Sequence, residues 1–120
     1  MFMKITQFED IESWKMARIL ATDIYRMCEK FRDFGFRDQI TRAVISISNN
    51  IAEWYERQWN KELRKFFYIA KWSAAEVKSM LYIAKDLWYC SDEEFIRFQS
   101  QIITISKLLS GFISYLSDQS

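Results

Sequence analysis

The sequence contains no histidine and no proline, and glycine occurs only at Gly35 and Gly111. Without histidine the chain lacks the commonest general base and metal ligand, and it cannot form a Ser-His or Cys-His nucleophile pair. Two isolated glycines cannot form a P-loop or a glycine-rich dinucleotide-binding turn. We therefore expect no enzymatic activity, no metal site and no cofactor.

Long apolar segments are also missing. No run approaches the ~18–20 residues that span a bilayer, and the first residues, MFMKITQFEDIESW, contain no secretory signal pattern. Cys28 and Cys90 are far apart and lack metal-type spacing, which favours two buried thiols in a reducing compartment. We expect a cytoplasmic protein without membrane contact, and a single domain over residues 1–120.

The sequence does contain apolar residues at the three- and four-residue spacing of α-helices. It predicts four helices, at about residues 11–31, 37–56, 61–87 and 92–117. The first carries apolar residues three or four apart and is expected to end before Gly35, as helices often end at glycine. Asn60 is the expected N-cap of the third helix, and Ser91 with Glu94 forms a capping box before the fourth. Short connections then predict an all-α, antiparallel up-down-up-down four-helix bundle.

Two of these helices have more apolar surface than one buried face needs. The surplus residues are Tyr68, Trp72 and Tyr82 on the third helix and Ile96, Ile103, Leu108 and Ile113 on the fourth. A second apolar face is typical of a chain with a partner subunit, so we predict self-association.

Charge is uneven although the net charge is only +1. Residues 61–85 hold six Lys or Arg against two Glu, whereas residues 86–120 have a balance of −3. One interpretation is a nucleic-acid interface in which cations meet phosphates and nearby aromatic rings stack on unpaired bases. The other, favoured in so neutral a chain, is a solvated helix face. The candidate nucleic-acid residues are Arg57, Lys61, Arg64, Lys71, Lys78 and Lys85.

The second predicted helix carries polar residues interleaved with its apolar positions. They form either a ligand pocket or subunit contact, or a hydrogen-bonded network that fixes the packing of the bundle, and we favour the network. These residues are Gln39, Arg42, Asn49, Asn50 and Glu53.

Several segments resemble one protein family over about residues 8–116. They are FEDIESWKMA, FGFRDQITRAVISISNNIAE, ERQWNKELRKFFYIAKWSAAEV, LYIAKDL and SKLLSGFISYL, with DQITRA and SISNNIAE the most specific. The family is the four-helix bundle proteins first noticed in intervening sequences of bacterial 23S rRNA genes. The resemblance implies a homopentameric ring without established enzymatic activity.

A related branch, the accessory protein of diversity-generating retroelements, implies possible partners. That branch forms a basic pentamer that binds a reverse transcriptase and nucleic acid, whereas this chain is nearly neutral. Two functions stay open. One is an oligomeric scaffold that binds RNA or DNA, and the other is a ring whose partner is another polypeptide.

The tryptophans are unusual against the same family. Glycine is usual in relatives at the positions of Trp54, Trp72 and Trp88 and near that of Trp59, which suggests a gene in which UGA encodes glycine. A UGG codon at any of these positions in the native gene would exclude that hypothesis. The alternative is that native tryptophans build an aromatic surface. We expect the bundle to tolerate Trp54, Trp59 and Trp88 if they project into solvent, and Trp72 to disturb packing if it meets a neighbouring helix or subunit.

Overall fold

A computed structural model describes residues 5–57 and 64–118 of the chain. A short 3-10 helix at Phe8–Asp10 precedes four α-helices. These are α1 (Glu12–Cys28), α2 (Phe34–Glu56), α3 (Lys65–Asp86) and α4 (Asp92–Ser117). The described residues contain no β-strand, so the all-α prediction is confirmed.

The boundary between α1 and α2 differs from the prediction. Helix α1 ends at Cys28, three residues early, and Gly35 does not terminate it. Gly35 instead lies in the first turn of α2, and its φ is not positive. The signal that sets this boundary is Asp33, whose carboxylate accepts a hydrogen bond from the backbone N–H of Phe36 at 3.1 Å and caps α2.

Helix α4 begins where its capping box predicts. The Ser91 hydroxyl accepts from the backbone N–H of Glu94 at 3.1 Å, and the Glu94 carboxylate accepts from the backbone N–H of Ser91 at 2.9 Å. Two backbone donors at the helix start are therefore satisfied reciprocally. The start predicted for α3, with Asn60 as its N-cap, lies outside the described residues.

The helices pack in the order of the sequence, and α4 closes the bundle against α1. At one end, the Phe31 ring after α1 stacks on Tyr89 after α3 at 4.0 Å, and Lys30 pairs with Glu94 of α4 at 3.0 Å. At the other end, Trp54 near the end of α2 contacts Phe67 and Phe112. These contacts place consecutive helices in opposite directions, as an up-and-down bundle requires.

Trp54 does not project into solvent, which was the condition under which we expected the bundle to tolerate it. Its exposed fraction is 0%, and its ring lies 4.9 Å from Phe67 and 5.3 Å from Phe112, edge to face in both cases. The position is three residues before the helix C-cap at Arg57 and so still within α2. Trp54 therefore fills the core instead of standing in a turn.

Trp88 meets that condition, with an exposed fraction of 87%, and Trp59 lies outside the described residues. Its φ of 63° makes it the one non-glycine residue of the described chain in the left-handed region. The N–H of Tyr89 bonds the carbonyl of Ala84 at 2.8 Å, and the N–H of Trp88 bonds that of Lys85 at 3.1 Å. This pair of bonds is a Schellman motif, and its left-handed position normally holds glycine.

The surplus apolar residues divide between surface and core. Tyr68, Trp72, Tyr82, Ile96 and Ile103 are exposed as anticipated. Ile113 is instead a core residue, with only 7% of its surface exposed. Trp72 is 67% exposed, and its ring lies beside that of Tyr68 on the same helix.

Candidate nucleic-acid interface and the grooves beside helix α2

The predicted cations mostly lie along one side of α3. Lys78 and Lys85 are exposed, Lys71 is half-buried, and Arg64 directly precedes the helix. Lys61 lies outside the described residues. Because Lys71, Lys78 and Lys85 are seven residues apart, two helical turns separate each from the next and all three lie on one side.

This side of α3 borders α4. The carbonyl of Lys78 accepts a hydrogen bond from the Gln99 amide at 3.1 Å, and the Lys85 ammonium lies 4.8 Å from the centre of the Phe95 ring. Within residues 5–57 and 64–118, none of the three lysines forms a salt bridge. Their charges are therefore not neutralised by a neighbouring carboxylate and remain available to an anionic partner.

Exposed aromatic rings accompany the lysines. Tyr68 and Trp72 lie one turn apart with ring centres separated by 6.3 Å, and Tyr82 packs edge to face on Phe95 at 5.2 Å. Rings held in this way lose little conformational freedom when they contact a flat ligand, so they are suited to stacking.

Arg57 does not belong to this surface. It follows the last residue of α2, where its guanidinium pairs with Glu53 at 2.8 Å and lies 5.4 Å from the Phe66 ring. Both members of the pair are about half exposed, so the pair contributes little to stability. The prediction grouped Arg57 with the α3 cations by charge alone.

The polar residues of α2 are divided between its two neighbours. Gln39 and Arg42 line a groove of about 570 Å³ between α2 and α3, and the Gln39 amide faces the Glu76 carboxylate at 3.5 Å. Deeper in this groove the Ser73 hydroxyl donates to the Ser46 hydroxyl at 2.9 Å. The Asn50 amide donates to that hydroxyl at 3.0 Å.

Part of the expected hydrogen-bonded network therefore exists, but Asn49 is outside it. Asn49 lines a second groove, between α1 and α2. Ser46, Ser73 and Glu76 are network members that the sequence analysis missed. Ser46 lies four residues before Asn50 on α2, whereas the positions of Ser73 and Glu76 depend on how α2 and α3 are paired, which no spacing within one helix reveals.

The two cysteines are poor nucleophiles in this fold. Burial raises the pKa of the Cys28 thiol to about 11, against a weaker opposing effect of Arg37. Burial and, secondarily, Glu94 also raise the pKa of Cys90. Both thiols are therefore protonated at neutral pH, and only the thiolate reacts readily.

Neither a metal site nor a membrane span can be built from the described residues. They hold no group of three or more histidine, cysteine, aspartate or glutamate side chains placed to bind a metal ion. None of the described helices is long and apolar enough to cross a bilayer.

Comparison with protein-family models gives a match. The model of a protein family described as "23S rRNA-intervening sequence protein" matches residues 9–111, which include most of all four helices. No curated protein matches the chain significantly. The four-helix architecture agrees with the resemblance in the sequence, and the matched range covers most of the 120 residues. The chain belongs to the 23S rRNA-intervening sequence protein family.

Proposed function

We propose that this protein is a non-enzymatic, self-associating scaffold of the cytoplasm that binds nucleic acid through α3. A homopentameric ring, as the family resemblance implies, would repeat the α3 surface five times. Repetition multiplies the number of phosphate contacts, so that a modest charge on each copy can support binding.

The observation that carries the proposal is the row of Lys71, Lys78 and Lys85. All three are without a carboxylate partner in the described chain and lie beside exposed aromatic rings. Cations supply affinity for phosphate, and aromatic rings supply contacts to any unpaired base. A chain with net charge +1 concentrates its positive charge here, which supports a local interface over a general attraction.

Fluorescence anisotropy with labelled single-stranded and hairpin RNA tests the proposal. We expect micromolar or tighter binding that weakens steeply between about 50 and about 200 mM salt, because counterions are released from the RNA. The variant Lys71→Glu/Lys78→Glu should lose this binding while keeping its helical circular dichroism.

The control variant is Arg26→Glu/Lys107→Glu, which changes the net charge equally at exposed positions of α1 and α4. It should retain most of the affinity. Absence of RNA binding at low salt, or an equal loss in both double variants, would contradict a nucleic-acid interface on α3.

A second function is favoured by the apolar surface of α4. Ile96 is 67% exposed and Ile103 lies two turns further along the same helix. In a ring whose partner is a polypeptide such as a reverse transcriptase, these residues would contact the partner or the adjacent subunit. Native mass spectrometry of the wild type and of Ile96→Asp/Ile103→Asp distinguishes the two roles. Loss of the pentamer assigns the patch to the subunit contact, whereas an intact pentamer leaves it for a partner.

A further inference from the structure

The groove between α1 and α2 has aromatic walls and a floor of small residues. Its volume is about 450 Å³, within the usual range for ligand sites. Trp14 and Tyr25 of α1 stand near its two ends, three turns of helix apart. Ala21 of α1 and Ala52 of α2 line the space between them. Small side chains there leave the concavity open.

The Tyr25 ring is the better placed of the two for stacking. It is 46% exposed, and no other described ring packs against it. The Trp14 ring is already engaged, edge to face with Phe8 at 5.1 Å and under the Arg18 guanidinium at 5.8 Å. A flat ligand would therefore find a free ring face at Tyr25.

The groove contains one positive charge and no carboxylate. Arg18 is the one side chain among its lining residues that is charged at neutral pH. The groove on the other side of α2 differs, because Asp38 and Glu76 outnumber Arg42 there. Of these two described grooves, the one between α1 and α2 is therefore better suited electrostatically to a phosphate-bearing ligand.

Asn49 supplies a free amide at the rim of the same groove. The nearby hydroxyls of Thr22 and Ser48 donate to carbonyls of their own helices, at 3.1 Å each. The exposed Asn49 side chain makes no such bond in the described structure. A carboxamide offers a donor and an acceptor side by side, as the edge of a nucleobase does.

We propose that the α1–α2 groove binds one unpaired nucleobase of a single-stranded nucleic acid. The base stacks on Tyr25, its edge hydrogen-bonds to Asn49, and the adjoining phosphate contacts Arg18. This inference rests on the proposed nucleic-acid function, and it adds a second contact on a different face from the α3 lysines. If the groove binds a base in this way, the affinity for single-stranded nucleic acid must depend on the bases as well as on the phosphates.

The test compares two labelled single-stranded oligonucleotides of equal length, one with bases and one fully abasic, by anisotropy with the full chain. Stacking on an aromatic ring contributes enough that the oligonucleotide with bases should bind on the order of tenfold more tightly. Tyr25→Ala should remove most of this preference, and Tyr25→Phe should restore it. Asn49→Ala should also reduce it, because this change removes the amide that hydrogen-bonds to the edge of the base.

The controls separate this inference from the function on which it rests. Arg26→Glu, at an exposed position of α1 outside the groove, should leave the base preference unchanged. The Lys71→Glu/Lys78→Glu variant should weaken binding of both oligonucleotides. Failure of the wild type to bind either oligonucleotide would overturn the proposed function. Equal binding of both, or a preference that survives in Tyr25→Ala, would overturn only the base site.

Discussion

The two ends of the bundle hold tryptophans in opposite situations. At one end Trp54 is fully buried among Phe67 and Phe112, whose rings stack on each other at 4.8 Å. At the other end Trp88 is 87% exposed in a left-handed backbone conformation. The first end is stabilised by full burial of aromatic surface, whereas the second combines the stacked rings of Phe31 and Tyr89 with hydrogen bonds and an ion pair.

The polar contacts at the Trp88 end join the two helix connections there. The Tyr89 hydroxyl donates to the Asp33 carboxylate at 2.8 Å, Lys30 pairs with Glu94, and Ser91 caps α4. The comparison teaches that one residue type near two helix ends can act in opposite ways. Trp54 stabilises the fold through its side chain, whereas Trp88 costs free energy through its backbone.

The largest expected effect is at Trp54. Trp54→Ala should lower the free energy of unfolding by about 3–5 kcal/mol, because it opens a cavity among rings that cannot fully collapse. Urea denaturation followed by circular dichroism measures this loss. Trp72→Ala is the matched control and should change stability by no more than about 0.5 kcal/mol, since Trp72 is 67% exposed. Equal effects of the two substitutions would show that Trp54 is not a core residue.

A smaller loss of stability is expected at the end of the bundle that contains Trp88. Ser91→Ala removes the acceptor for the backbone N–H of Glu94 and should cost about 1–2 kcal/mol. Ser91→Asp, which keeps an acceptor at the cap, should recover most of the stability in the same denaturation experiment. If alanine were neutral here, hydrogen bonding at the start of α4 would not hold this end together.

Replacing Trp88 by glycine is expected to increase the stability of the fold. Trp88→Gly should raise the free energy of unfolding by about 1 kcal/mol, because glycine adopts a positive φ without the steric cost that a Cβ imposes. Trp88→Ala retains the Cβ and should give little or no gain. The difference between the two variants in thermal denaturation isolates the backbone contribution. A destabilised glycine variant would mean that the Trp88 ring contributes contacts of its own.

The smallest effect concerns pH. Hydrogen bonds from backbone N–H groups, aided by Lys30 at Glu94 and Tyr89 at Asp33, lower the pKa of both carboxyls. A lowered pKa means that the stabilisation is complete above the unfolded-state pKa of about 4 and is lost as pH falls through the folded-state pKa.

Amide hydrogen exchange as the pH is lowered from neutrality should therefore show earlier loss of protection around residues 33–36 and 91–94 than around Trp54. Each amide is corrected for the pH dependence of its intrinsic exchange rate. In the double variant Asp33→Asn/Glu94→Gln this difference should diminish. Simultaneous loss of protection at both ends in the wild type would contradict the assignment.

Trp54 and Trp88 also bear on the hypothesis that these tryptophans stand where a UGA codon encodes glycine. Of the described tryptophans, only Trp88 has the backbone conformation that glycine favours. A glycine at position 54 would leave an aromatic cavity, so the structure makes opposite predictions for the two sites. Sequencing the codons at 54, 72 and 88 remains the decisive measurement.

The surface on α3 was predictable from sequence, because cations spaced by seven residues lie on one side of any helix. The grooves beside α2 were only partly predictable. Gln39, Arg42 and Asn50 were identified as one set with Asn49, but Asn49 faces α1 whereas the others face α3. The Asn50–Ser46 bond is local to α2, but Glu76 and Ser73 of α3 come from elsewhere in the chain, so no local pattern could assign their contacts.

The sequence by itself determined the number of helices, the start of α4 and the row of lysines on α3. These features follow from interactions between residues a few positions apart, which the helix geometry fixes before any packing occurs. Only the tertiary structure decided that Trp54 is buried, that Trp88 takes a left-handed conformation and that α2 separates two grooves of different charge. Those outcomes depend on which helix faces meet, and that is set by packing between residues distant in the sequence.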